Sequence, residues 1–146
     1  MKADGREAGM EDRKERFSVF LRTECEGETQ RIFARAYKTE RGYHFSKDGA
    51  DFCISFDAHK GRLIVSRSGE MSYFLNLSRR EEQETGIETS FGDLPVSVRV
   101  QSLDFFEQHG GEGVECRYTL DFSGFVQHHS FRFTVKPIFI EEDQGV

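Results

Sequence analysis

Five side chains carry whatever chemistry this sequence places in an interior: Arg67, Tyr73, Tyr118, Gln127 and His129. An arginine fork matches a carboxylate or phosphate through parallel hydrogen bonds. Tyrosine hydroxyls, an amide and an imidazole add single directional contacts. Together they suit the polar end of a small amphipathic or anionic molecule whose remainder lies in an apolar pocket. Each also has a plainer explanation. An internal ion pair, or a rim position with the guanidinium reaching water along its apolar stem, accounts equally for Arg67. Tyr118, Gln127 and His129 equally make a polar network satisfied by water near an open barrel end.

Other motifs exclude more than they support. His128 and His129 are adjacent in a strand, so they point to opposite faces and cannot readily share one metal ion. No HxH, HExxH or CxxC spacing occurs, so neither a metal site nor a cofactor is expected. Ser68-Gly69 and Ser123-Gly124 lack the strand-turn-helix setting of a nucleophile elbow. Gly110-Gly111-Glu112-Gly113 precedes a strand rather than a helix, and reads as a mobile hairpin tip instead of a phosphate cradle. The acidic runs Glu81-Glu82 and Glu141-Glu142-Asp143 lack calcium-loop spacing. An enzyme built on His129 and Tyr118 has only their proximity in its favour, and acid–base catalysis needs more. The expectation is a protein without catalytic activity.

The elements that position these residues alternate with period two. Val96, Val98 and Val100 alternate with polar neighbours, as do Val114, Cys116, Tyr118, Leu120 and Phe122, and again Phe131, Phe133 and Val135. One wet and one dry face on successive strands marks an antiparallel sheet. With Ser123-Gly124 as a two-residue hairpin loop, the dry faces coincide: Phe122 faces Phe125, Leu120 faces Gln127, Tyr118 faces His129, Cys116 faces Phe131 and Val114 faces Phe133. A four-residue loop, Ala58 to Gly61, pairs Asp57 with Arg62 outside and, inside, Phe56 with Leu63, Ile54 with Val65 and Phe52 with Arg67. A three-residue loop, Ser68-Gly69-Glu70, keeps Met71, Tyr73 and Leu75 on that same inner face. Arg67 is therefore expected to be substantially buried and paired. Leu77 to Thr85 has almost no apolar face and reads as a charged loop.

Bulk properties bound the rest. At 146 residues, 36% hydrophobic and 32% charged, the chain makes one domain with one core. A net charge of −6 disfavours nucleic acid and anionic membrane surfaces. Three cysteines without paired spacing, Cys25, Cys53 and Cys116, read as free thiols of a cytoplasmic protein. Residues 1–16 hold ten charged residues, five of each sign, and read as a disordered leader with no signal-peptide character. Residues 17–140 form the barrel domain and 141–146 an acidic tail. No stretch approaches a membrane span.

Three motifs in order carry a family resemblance. Leu63-Ile64-Val65-Ser66-Arg67-Ser68-Gly69 resembles the strand ending in Arg-Ser-Gly of the YwiB-like proteins, an uncharacterised bacterial group. Thr89-Ser90-Phe91-Gly92-Asp93-Leu94 resembles that family's Phe-Gly-acid-Leu hairpin. Tyr118-Thr119-Leu120, followed by a glycine and a final polar-apolar strand, is the third match, and the likeness spans about Phe17 to Val135. It implies a single-domain, antiparallel, calycin-like (lipocalin-like) β-barrel, and no activity. One departure stands out: about a strand's length looks missing near 57–61, which bears on whether the barrel closes.

Two functions are expected from this reading. One is non-catalytic binding of a small amphipathic or anionic ligand inside the barrel. The other is a protein-interaction module with a solid interior, using outer aromatics Phe20, Phe33, Tyr37 and Phe74. Leaving those aromatics in water is unfavourable. Either a homodimer through that face or the segment Ile138-Phe139-Ile140 folded across it is expected.

Overall fold

The structure, a computed structural model, describes residues 14–79 and 82–138. Ten antiparallel strands form one closed barrel: β1 (Phe17–Cys25), β2 (Glu28–Thr39), β3 (Gly42–Lys47), β4 (Ala50–Asp57), β5 (Arg62–Ser68), β6 (Ser72–Ser78), β7 (Gln83–Thr89), β8 (Gly92–Gln108), β9 (Gly111–Phe122) and β10 (Phe125–Pro137). Each strand pairs with the next in sequence, and β10 returns to β1. Closure removes the exposed strand edges that invite aggregation. The strand expected to be missing is present. β3 is only six residues long, lies between two-residue turns, and precedes β4 and β5 in an unbroken wall. So short a strand leaves little spacing signal of its own.

The β9–β10 register is the one expected, from Phe122 opposite Phe125 to Val114 opposite Phe133. Ser123 and Gly124 both have positive φ, at 57° and 102°, the mirror-image turn whose twist suits a tight hairpin. The β4–β5 pairing also holds, with Asp57 Oδ1 accepting from the amides of His59 and Lys60 to fix the loop. At β5–β6 the inward faces are as expected but the pairing is offset by two residues. Arg67 opposes Tyr73, so the loop is Gly69 to Met71. Gly69 has φ of +145° and lies against the Gly49 carbonyl, a place where a side chain would not fit.

Two loop assignments are corrected. Leu77 to Thr85 is not a charged loop: β6 runs to Ser78 with Leu77 fully buried, and β7 starts at Gln83. The inward positions of early β7 are Gln83 and Thr85, so that strand shows no apolar alternation. Nor are the glycines after His109 all in a mobile tip. The turn is His109-Gly110, while Gly111 and Gly113 lie within β9. A Cβ on Gly113 would strike the Phe106 ring and the Phe133 carbonyl, and the Arg132 guanidinium lies 4.3 Å above that ring. The ring covers a glycine-thin piece of wall.

One seam is weakly laddered. Among the described residues β6 and β7 pair at only two positions, Ser72 with Glu88 and Tyr73 with Ile87. Beyond them side chains bridge the gap: Gln83 Oε1 accepts from the Asn76 amide at 3.1 Å, and the Thr85 hydroxyl donates to the Phe74 carbonyl at 3.1 Å. The Asn76 side-chain oxygen is buried there without a partner among the described residues.

The outer aromatics do face out, yet they do not form one surface. Phe20 stacks on Phe33 between β1 and β2 at 4.5 Å, and Tyr37 stacks on His44 of β3 at 4.7 Å. Phe74 stands on β6, four strands from β2 around the wall. Sequence patterning finds the face of a residue but not its position around a closed sheet. The Ile138 amide donates to the Arg16 carbonyl at 2.7 Å, continuing the β1–β10 pairing. Residues 1–13 of the expected leader, the expected tail, and Phe139 and Ile140 lie outside the described residues.

Candidate functional site

The barrel interior divides across its length. Toward the end bearing the turns β2–β3, β4–β5, β6–β7 and β8–β9, with the first and last strand ends, rings fill the interior beneath a shallow open groove of about 530 Å³ lined by Phe17, Tyr43, Glu112 and Val135. Phe133 sits at the centre of these rings, 5.9 Å from Phe45 and 6.1 Å from Tyr43 and Phe56, ring centre to ring centre. The Tyr43 hydroxyl donates to Glu112 at 3.2 Å. Burial first, then the Glu112 charge and that bond, push the Tyr43 phenol up to about 12.

Toward the other end the inward side chains change character. Moving four residues along a strand, ~13 Å, Leu63 gives way to Arg67 on β5, Leu77 to Tyr73 on β6, Val114 to Tyr118 on β9, Phe133 to His129 on β10, and Leu21 to Cys25 on β1. These groups surround a cavity of about 480 Å³ whose apolar wall includes Ile32, Phe52, Val65, Leu75, Ile87 and Leu120. All five residues singled out from the sequence line it, Arg67, Tyr73, Tyr118, Gln127 and His129. The volume lies in the ~300–1,000 Å³ range of small-molecule pockets.

Tyr118 and His129 stack face to face, with ring centres 5.1 Å apart. Gln127 Oε1 lies 3.1 Å from His129 Nε2, and Cys25 Sγ lies 3.6 Å from the same nitrogen. Burial pushes the His129 imidazole below its ordinary range, so the ring is neutral at pH 7. Burial raises the Tyr118 phenol strongly and the Tyr73 phenol as well, the latter partly offset by the Arg67 charge. Tyr118 is 7% exposed, and among the described residues neither its hydroxyl nor that of Tyr73 has a hydrogen-bond partner. Both hydroxyls are donors free for whatever fills the cavity.

Arg67 departs from expectation. It faces inward, with its guanidinium 5.8 Å from the Phe52 ring centre and a bond donated to the Met71 carbonyl. It is half-buried rather than deeply buried, and no carboxylate among the described residues pairs with it. Its place beside the β5–β6 turn gives water access, which removes the need for a buried counter-charge. Sequence reasoning passed over Cys25, Thr23 and Gln30, which also line the cavity. The inward run Val19, Leu21, Thr23, Cys25 was the signal that placed the first two.

Comparison with known proteins agrees with this architecture. A family model described as a domain of unknown function, DUF1934, matches residues 10–132. The crystal structure of the YwiB protein from Bacillus subtilis superposes with a TM-score of 0.64 at 12% identity, covering 90% of this chain and 99% of that one. At that identity the likeness speaks for the fold alone. No curated protein matches the chain.

Proposed function

The chain belongs to the DUF1934 family, and from that premise we propose that it is a non-catalytic binding protein holding a small amphipathic molecule in the open half of its barrel. The observation that carries this reading is the Tyr118 hydroxyl: on a side chain more than nine-tenths buried, it has no partner among the described residues and lines the cavity with Tyr73 and Arg67. A hydroxyl open to the cavity donates to an acceptor on a ligand, a bond worth about 0.5–1.5 kcal/mol net. A carboxylate fits best, because one oxygen pair takes the Arg67 fork while the tyrosines donate to the remaining lone pairs. The apolar chain then lies against Val65, Leu75 and Leu120. The alternative of a solid barrel acting through one outer aromatic face is disfavoured by the cavity and by the separation of Phe74 from Phe20, Phe33 and Tyr37.

Native mass spectrometry of protein purified from its own host, with displacement of anilinonaphthalene sulfonate by a series of straight-chain carboxylic acids, tests the proposal. Retained ligand, or displacement weakened by Arg67→Met, is the expected result. An empty protein indifferent to every acid in the series overturns it.

A further inference from the structure

The open end of the barrel carries a second feature, independent of what the cavity holds. The turns β1–β2, β3–β4, β5–β6, β7–β8 and β9–β10 all lie at this mouth. Among the described residues, five of the seven exposed large apolar side chains sit on or beside them: Met71 at 40% exposure, Phe91 at 99%, Leu94 at 47%, Phe125 at 65% and Val126 at 43%. Met71 and Leu94 line the cavity entrance itself. Singly exposed apolar residues need no explanation, but an arc of them along three consecutive turns of one opening does.

The charge around that opening is one-sided. Within two residues of the five mouth turns stand nine carboxylates, among them Glu26, Asp48, Glu70, Glu88 and Asp121, against two cations, Lys47 and Arg67. By the same window the turns at the plugged end carry six carboxylates and five cations among the described residues. Glu88 and Asp93 stand directly opposite each other beside the β7–β8 turn, a like-charge pairing that weakens a sheet. Both are exposed, so a cation approaching from outside meets them together.

We infer that the mouth docks a basic amphipathic segment of a partner protein. Its apolar face covers Met71, Phe91, Leu94 and Phe125, and its lysines or arginines meet the surrounding carboxylates. A second copy of this chain does not fit, because two mouths bring acid against acid. An anionic membrane is repelled for the same reason, and a neutral one leaves the carboxylates unmatched.

An amphipathic lysine–leucine peptide, labelled for fluorescence anisotropy and titrated with the full-length protein at low salt, tests the inference. The peptide is expected to bind, with affinity falling roughly tenfold or more for Phe91→Ser/Leu94→Ser and for Glu88→Gln/Asp93→Asn. All four positions are exposed, and circular dichroism confirms that the variants fold. A glutamate–leucine peptide of the same pattern is expected not to bind. Equal binding of the lysine–leucine peptide by parent and variants overturns the inference. So does failure of that peptide to bind while the protein sediments with phosphatidylcholine vesicles, or while it forms a dimer that Phe91→Ser dissolves. Failure here leaves carboxylic-acid displacement in the cavity intact, so this inference and the binding proposal fall separately.

Discussion

The two halves of the barrel are built from the same strands and differ only in what those strands point inward. Around Phe133 the inner positions are Leu, Val and aromatic rings, and they fill the space. Four residues further along, the same strands present Arg67, Tyr73, Tyr118, His129 and Cys25, and about 480 Å³ stays open. A closed sheet of ten strands encloses more volume than one layer of side chains fills unless many are large. The plug half has five rings close together, Tyr43, Phe45, Phe56, Phe105 and Phe133. The plugged half is packed around these rings, and the open half holds polar groups without partners among the described residues.

The sharpest way to break this contrast is to hollow the plug. Phe133→Ala is expected to cost about 3–5 kcal/mol in urea denaturation, since the residue is wholly buried among rings. A cost below about 1 kcal/mol would mean the two halves share stability evenly. In the open half the effects should fall on binding instead. Arg67→Met is expected to lower affinity for the best carboxylic acid roughly 10- to 150-fold, by the ~1.5–3 kcal/mol of charged hydrogen bonds. Stability should move by no more than about 0.5 kcal/mol, because the side chain is half-buried without an ion pair. Tyr118→Phe removes only a hydroxyl, so affinity should fall by ~1 kcal/mol while stability holds or rises. A marked loss of stability in that variant would show that the phenol has a structural partner.

The smallest effect is pH-dependent. Burial depresses the His129 pKa in the folded state, so the unfolded chain binds its proton first as pH falls. The His129 contribution to stability is present above the ordinary histidine range and is lost as pH drops through it toward the folded value. His129→Asn should flatten that acid limb in a denaturation series from pH 7.5 to 5, and Phe133→Ala should leave its slope unchanged.

How far this division could be read from the sequence depended on distance along the chain. The Ser123-Gly124 turn fixed Tyr118 opposite His129 because both faces of a tight hairpin are set by local φ and parity. The inward face of Arg67 and Tyr73 survived a two-residue offset in their loop, since an even offset keeps every side chain on its own face. β7 escaped notice because its inner positions begin with Gln83 and Thr85. Neither the cavity nor the acidic mouth is a local property. The first is the difference between what ten strands enclose and what their side chains fill, and the second appears only when five separate turns are brought to one end. Phe91 and Glu70 are unremarkable in sequence and become a surface only through the closure.

The seam between β6 and β7 sets where this wall opens. The β2–β3 seam pairs at three positions and the other seams at five or more, but here two paired positions and two side-chain bridges hold the wall, beside the buried and unmatched Asn76 oxygen. Amide protons along this line are expected to exchange with solvent deuterium before those of β9 and β10. Local opening is therefore expected to start alongside Phe74 to Ser78, on the plugged side of the paired Tyr73, and not at the mouth.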